Sequence, residues 1–357
     1  MSSYATGSSP QVADHYTIAY EAAWIDLVQQ RESRFGNTAI VKPAEGQATR
    51  FNQYGTRSFV AKTTRTPATP ITASSLPVRW AYSAPFDDAL VFDEWDEKFL
   101  GAVVLPTSAS MQAQVYAWNR TKDQIFLNNI LGFGYTSTAA SGTSYTGGGV
   151  VPPIVGVSFD ATNQVVSNTY VPYGGTPTTS GMTIAKIRKA KQIMDANEVP
   201  EEGRYLAISS KELNDLLGTT EITNNLYNDV RALVHGDVTQ FLGFTVIRSE
   251  LLPYYNASSE TLASNYTDAG LQNILGITSP TNATVSFNNL TDISSTGIKS
   301  CVAWQRDMVA IVDGGKKAYM DVLPTQSHDL QIRASGVIGA ARLQEKGVVA
   351  ILSDQAA

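Results

Sequence analysis

The densest group of reactive side chains in this sequence is FDEWDE, which carries Asp93, Glu94, Asp96 and Glu97. Clustered carboxylates can hold a divalent cation or work as an acid–base pair. A calcium loop, however, spaces its ligands over about twelve residues around a central glycine, and no such pattern follows here. That leaves a solvated acidic face, or a docking surface for a basic partner. The three histidines, His15, His235 and His328, fall in separate segments with no HxxxH or HExxH spacing, so they do not form a zinc motif. The glycine clusters at Gly132/Gly134, Gly147–Gly149, Gly174/Gly175 and Gly314/Gly315 match neither GxGxxG nor GxxxxGK[ST]. No GxSxG elbow is present, and Cys301 has no histidine near it in sequence. It reads as a buried, inert thiol. The expectation is no catalytic residue, no cofactor and no metal site, and a protein that is not an enzyme.

Composition narrows the class further. The 357 residues carry a net charge of −6, with 43% hydrophobic and only 16% charged residues. That charged share is below the roughly 25% usual for soluble domains, as suits a surface largely covered by neighbours. The acidic balance argues against a dedicated nucleic-acid binder. One cysteine excludes an intrachain disulfide framework. The opening MSSYATGSSPQVADHYT has neither a basic n-region nor an apolar h-region, so it does not read as a signal peptide, and no apolar run is long enough to span a membrane. The Asn-x-Ser/Thr triplets at Asn119, Asn256, Asn265, Asn282 and Asn289 then mark only polar, exposed chain.

These residues sit on a recognisable series of elements. Helical spacing of Ile18, Ala22 and Ile25 predicts a helix from Asp14 to about Phe35, stopped by Gly36. The stretch from Gly36 to Phe86 holds Lys42, Arg50, Arg57, Lys62, Arg65 and Arg79 against Glu45 alone, a net +5 in an acidic chain. Pro67, Pro70, Pro77 and Pro85 prevent a helix or an interior strand there. NQYGTRSF reads as a turn between two alternating runs, so the stretch is expected to be a long two-stranded hairpin. Such a hairpin is marginal in water and needs a surface to lie on; a basic one prefers an acidic surface, and the nearest is another copy of the same chain. A long helix follows at 107–131, with Met111, Val115, Trp118, Ile125, Phe126 and Ile130 near one face. Residues 134–180 read as a loop-rich excursion with one strand at PIVGVSF. A compact α/β passage comes next: a helix on Ile184, Ile187, Ala190 and Met194, a strand RYLAIS, a capping box of Ser209 with Glu212, and a strand FLGFTVIRS. Residues 251–300 read as an exposed polar insertion. Strands return in SCVAWQRDMVAIV, KAYMDVLP, DLQIRASGVIGAARL and KGVVAIL.

In this order, and in phrases such as IAKIRKAKQIMDANEVPEEGRYLAISSKELNDLL, GDVTQFLGFTVIRSELLP, AWQRDMVAIV and IRASGVIGAARLQEKGVVAIL, the chain resembles the tailed-phage major capsid proteins with the HK97-type fold, over about residues 14–352. The resemblance implies an α+β fold. It comprises an N-terminal arm with a helix (1–35), an E-loop (36–88), a P-domain with a spine helix (89–182), an A-domain (183–318) and C-terminal strands returning to the P-domain (319–357). It implies a coat protein that self-assembles as hexamers and pentamers into an icosahedral shell around double-stranded DNA, holding that DNA without sequence-specific contacts. It also implies a scaffolding protein and portal as partners, a decoration protein on 134–180 or 251–300, no membrane, and assembly in a bacterial cytoplasm. On this reading Arg50, Arg57, Lys62, Arg65 and Arg79 of the E-loop form the subunit interface, and Asp93, Glu94, Asp96 and Glu97 receive it. Some members crosslink lysine to asparagine; Lys42 and Lys62 lie in the relevant segment, but no matching motif surrounds them. The alternatives are a β-rich adhesin or carbohydrate-binding surface protein, which requires strands at regular spacing throughout, and an enzyme built on the α/β passage, which requires a pocket of perturbed titratable groups.

Overall fold

The structure is a computed structural model and describes residues 29–46, 48–65, 76–93, 107–132, 134–137, 154–157, 159–160, 163–172, 175–218, 240–256, 261–262, 297–323 and 329–355. Helix α1 (Thr107–Leu131) runs for 25 residues, about 37 Å at 1.5 Å per residue. Its C-terminal half is deeply buried at Ile125, Phe126, Leu127, Ile130 and Leu131, whereas Val115 in the first half is 36% exposed. The apolar face expected along the whole helix is therefore closed over in its second half and only partly covered in its first.

Among the described residues the strands form three sheets, and α1 packs on the first of them. In the first, strand order is β1 (Ile40–Pro43), β14 (Val309–Leu323), β15 (Asp329–Arg342) and β4 (Ala84–Phe92). β1 lies parallel to β14, and the other pairs are antiparallel. In the second, β2 (Ala48–Asn52), β3 (Val78–Tyr82), β5 (Gly134–Ser137) and β6 (Ile154–Val157) follow one another antiparallel. The third sheet centres on β13 (Ile298–Gln305). On one side β13 meets β16 (Val348–Asp354), which in turn meets β7 (Val165–Val166). On the other it meets β8 (Arg204–Ile208), followed by β10 (Phe244–Arg248) and β9 (Gln240–Phe241). The hairpin of β11 (Tyr254–Asn256) and β12 (Thr261–Leu262) joins β13 near its start. Helix α2 (Ile184–Ala196) packs on β16 and β7 of this sheet, and α3 (Ser210–Leu217) follows β8 in the chain. α2 buries Ile187, Ala190 and Met194, as its spacing predicts. α3 opens on the expected capping box, where Glu212 accepts the Ser209 backbone N–H at 3.0 Å.

The core joins the units. Trp304 is fully buried among Phe35, Phe126 and Tyr205, with ring centroids 5.6–5.8 Å away, and its indole N–H donates to the Thr38 carbonyl at 2.9 Å. Such aromatic packing adds to the burial energy, and the polar tip of the indole keeps its hydrogen bond.

Several local expectations are corrected. Residues 29–39 contain no helix, although the N-terminal helix was expected to reach Phe35; its first part lies outside the described residues. The cause is Asp123 on α1, a fully buried carboxylate. It accepts the Arg34 N–H at 2.9 Å and the Phe35 N–H at 3.4 Å, together with the side chains of Gln30 at 2.5 Å and Ser33 at 2.6 Å. Those backbone donors would otherwise serve a helix ladder. The run SCVAWQRDMVAIV is two strands in two sheets. A 3-10 turn at Arg306–Met308 separates β13 from β14, and the Gln305 side chain accepts the Asp307 N–H at 2.7 Å to hold the corner. Conversely, VAIV and KAYMDVL form the single strand β14, carried across a bulge between Asp313 and Lys316 where Gly315 has φ +77°. The C-terminal strand β16 closes the sheet of β8 and β13.

Candidate assembly interface

β2 and β3 form the stem of the basic arm, with Arg50 opposite Trp80 and Asn52 opposite Val78. Gln53 N–H still reaches the Pro77 carbonyl at 2.9 Å. Beyond it, residues 54–63 contain neither strand nor turn. The turn expected in NQYGTRSF is therefore not present, and among the described residues the hairpin is paired at its stem alone. The stretch beyond the stem keeps apolar side chains in water: Tyr54 is 67% exposed, Val60 58%, and Phe59 fully. Leu76 on the returning side is exposed as well. Large apolar groups grouped in this way on a polar ribbon mark a surface that something covers.

The stem, by contrast, is fixed. Arg79 on β3 makes an ion pair with Glu345 at 3.2 Å and donates to the Leu343 carbonyl at 3.2 Å. Gln53 donates to the same carbonyl at 2.6 Å. Glu345 also pairs with Arg342, which has no exposed surface. The Arg342 guanidinium donates to the carbonyls of Ile130 at 2.5 Å and Gly132 at 2.8 Å, the unsatisfied acceptors at the C-terminus of α1. It lies over the Phe159 ring at 5.1 Å. Burial pulls its pKa down, and Glu345 opposes that pull. A cation at a helix C-terminus also complements the macrodipole. The chain Arg79–Glu345–Arg342 thus ties the root of the arm to the end of the long helix.

The residues expected at the interface divide accordingly. Arg50 is exposed on β2, and Arg57, Lys62 and Arg65 are exposed beyond the stem. The Arg79 charge is taken up within its own chain by Glu345, because β3 is held beside the loop after β15. Asp93 is exposed just beyond β4. Glu94, Asp96 and Glu97 lie outside the described residues, as do His15, His235 and His328. Among the described residues no group of three metal-ligating side chains converges, and no helix is long and apolar enough to cross a membrane.

Sequence reasoning passed over Arg342, Glu345, Asp123 and Lys186. The available signal was a charge inside an apolar run, as in VIGAARL, but its partners are far away in sequence. Lys186 bears on the enzyme alternative, since it is fully buried and desolvation lowers its pKa to about 8. Its ammonium donates to the carbonyls of Ser180 at 2.7 Å, Gly181 at 2.8 Å and Leu352 at 3.1 Å. An ammonium has three donors, so its capacity is filled by backbone and it acts as a structural tie between α2 and β16. Cys301 is fully buried with its thiol pKa raised well above the ordinary value by desolvation, the condition of an inert thiol. The helices α1, α2 and α3 do not fit an adhesin made of regularly spaced strands.

Comparison with known proteins adds the following. A family model described as phage capsid protein matches residues 12–355. No curated protein matches the sequence. Among solved structures, the capsid of cyanophage P-SCSP1u is similar, with a TM-score of 0.65 at 16% identity, covering 97% of this chain and 95% of that one. The capsid of Helicobacter pylori bacteriophage KHP30 has a TM-score of 0.65 at 11% identity, covering 99% and 100%. The capsid of cyanophage Pam1 has a TM-score of 0.62 at 12% identity, covering 98% and 100%. At these identities the likeness is one of fold, and it spans the chain.

Proposed function

This chain belongs to the phage capsid protein family, and from that premise we propose how it builds a shell: each copy lays its basic arm across the next. It is a structural protein of the virion head, with the α+β, HK97-type fold, and its copies assemble into the shell. In the proposed arrangement residues 1–35 are the N-terminal arm, 36–88 the E-loop, 89–182 the P-domain around α1, 183–318 the A-domain, and 319–357 the returning strands. Hexamers and pentamers of this unit close an icosahedral lattice around double-stranded DNA. The acidic balance suits a wall that confines DNA without gripping its phosphates. A scaffolding protein, a portal and a decoration protein are the further partners, with assembly in the bacterial cytoplasm.

The observation that carries this reading is the contrast within the arm. Its root is fastened by Arg79, Glu345 and Arg342, while Phe59 is fully exposed and Val60 58% exposed beside Arg57, Lys62 and Arg65. Burying one such apolar side chain is worth about 1.5–3 kcal/mol. A fastened root delivers that energy at a defined position in every copy, and symmetry repeats it around each ring. The interfaces of obligate assemblies reach roughly 2,000 Å² or more.

The test is electron microscopy of the purified protein together with the double variant Arg57→Glu/Arg65→Glu. Wild-type protein should form closed particles. The variant should remain folded by circular dichroism and stay as small species. Normal particles from the variant at physiological salt would remove the basic arm from the account.

A further inference from the structure

β4 ends the sheet β1-β14-β15-β4, and among the described residues no strand pairs with its outer side. Asp87 to Val91 are all exposed. A nine-residue strand with an open row of N–H and C=O groups is a template for another strand. Its aspartates oppose pairing with a second β4, where like charges would face each other, but they favour a basic partner. The same chain carries such a partner in residues 56–65, TRSFVAKTTR. This run is rich in β-formers, has no proline or glycine, lies in no strand among the described residues, and bears the exposed cations Lys62 and Arg65.

We propose that the arm of one copy adds to the outer edge of β4 of the neighbouring copy as an antiparallel fifth strand, with Val60 opposite Leu90. This rests on the reading of the arm as a strap between subunits and specifies where and how it binds. The register follows from the pleat. In β4, register with β15 puts Asp88, Leu90 and Phe92 on one face and Asp87, Ala89 and Val91 on the other. With Val60 opposite Leu90, Lys62 falls opposite Asp88 on the first face. On the second, Phe59 falls opposite Val91 and Ala61 opposite Ala89. Each apolar side chain of the central run thus meets an apolar one, and Lys62 meets a carboxylate. A slip by one residue moves Lys62 from Asp88 to Ala89 in one direction and sets Ala61 against Asp88 in the other. The free edge of β14 is a poorer receptor, because Lys316 and Lys317 would face the basic arm.

The pair Val60→Cys with Leu90→Cys, placed in one chain, tests the register. Directly opposed residues on neighbouring strands have Cβ atoms about 4.5–5.5 Å apart, close enough for a disulfide with slight adjustment. The native Cys301 is buried and stays out of the reaction. Oxidised shells should give a ladder of linked chains on a denaturing, non-reducing gel that collapses on reduction. The control pair Val60→Cys/Val91→Cys, with side chains on opposite faces, should give about tenfold less. Shells that show no ladder, or an equal ladder in the control, overturn the proposal. Hydrogen exchange on the unaltered protein gives a second reading, should the variants fail to assemble. Alternate amides between residues 86 and 92 should exchange about tenfold slower, or more, in shells than in dispersed subunits. Unchanged exchange at β4 in intact shells overturns this inference and leaves the strap reading standing. Failure of the unaltered protein to form shells removes both.

Discussion

Lys186 and Glu345 are single side chains whose removal has calculable consequences. The ordinary lysine value is 10.5, and in the folded chain Lys186 titrates near 8. Between these pH values the unfolded chain binds more protons than the folded one, so this group makes stability rise as pH rises through the window. At about 1.4 kcal/mol per pH unit the rise sums to about 3 kcal/mol. Lys186→Met should lose that rise, so the difference in unfolding free energy between wild type and variant should grow from pH 7.5 to 10.5 in urea titrations. A difference that stays flat would mean the lysine keeps its ordinary pKa. Glu345 sits between two arginines, one of them fully buried. Glu345→Ala leaves Arg342 without its carboxylate and should cost about 3 kcal/mol or more in the same titration. Arg79→Ala breaks only the more accessible pair and should cost about 1 kcal/mol.

At the level of elements, two close approaches hold the sheets to each other and to α1. Gly339 on β15 passes the corner between β3 and β4 so closely that an added Cβ would lie 2.1 Å from the Tyr82 carbonyl oxygen. That atom belongs to backbone and cannot swing aside, so Gly339→Ala must move the root of the arm. Its expected cost is about 3 kcal/mol, with fewer closed particles by electron microscopy. Gly336 similarly meets the Trp118 ring, which brings α1 down onto β15. Asp123 performs the corresponding task for the segment before β1. Its carboxylate gathers four donors from Gln30, Ser33, Arg34 and Phe35. Hydrogen bonds to a charged group are worth about 1.5–3 kcal/mol each. Asp123→Ala should therefore destabilise by about 3 kcal/mol and expose the chain near Arg34 to trypsin; unchanged cleavage there would show that other contacts hold the segment.

For the whole molecule, charge is distributed unevenly by design of the chain: the arm is basic and the rest is acidic. Attraction between copies then depends on salt. Raising ionic strength from 0.1 to 1 M shortens the Debye length from about 10 Å to about 3 Å. Initial assembly rates followed by light scattering should fall by about tenfold over that range. Shells already closed should persist, because the apolar contacts of Phe59 and Val60 are not screened. A rate indifferent to salt would leave only those apolar contacts to guide the arm.

Properties that depend on neighbours in sequence were legible without coordinates. The helical spacing at Ile187, Ala190 and Met194, the Ser209–Glu212 capping box, the long helix beginning at Thr107, and the excess of cations between Lys42 and Arg79 all involve residues a few positions apart or a simple count. The chain alone therefore determined the kinds of element, their order, and the presence of a basic arm too thin to bury itself. Only the tertiary structure decided that SCVAWQRDMVAIV breaks between two sheets, that KAYMDVL continues the preceding strand, and that Arg79 is spent inside its own chain. It alone joined Arg342 to Ile130, 212 residues away. A strand's periodicity says which side is apolar but not which distant strand will lie beside it, and a buried charge is tolerable only where its partners converge in space.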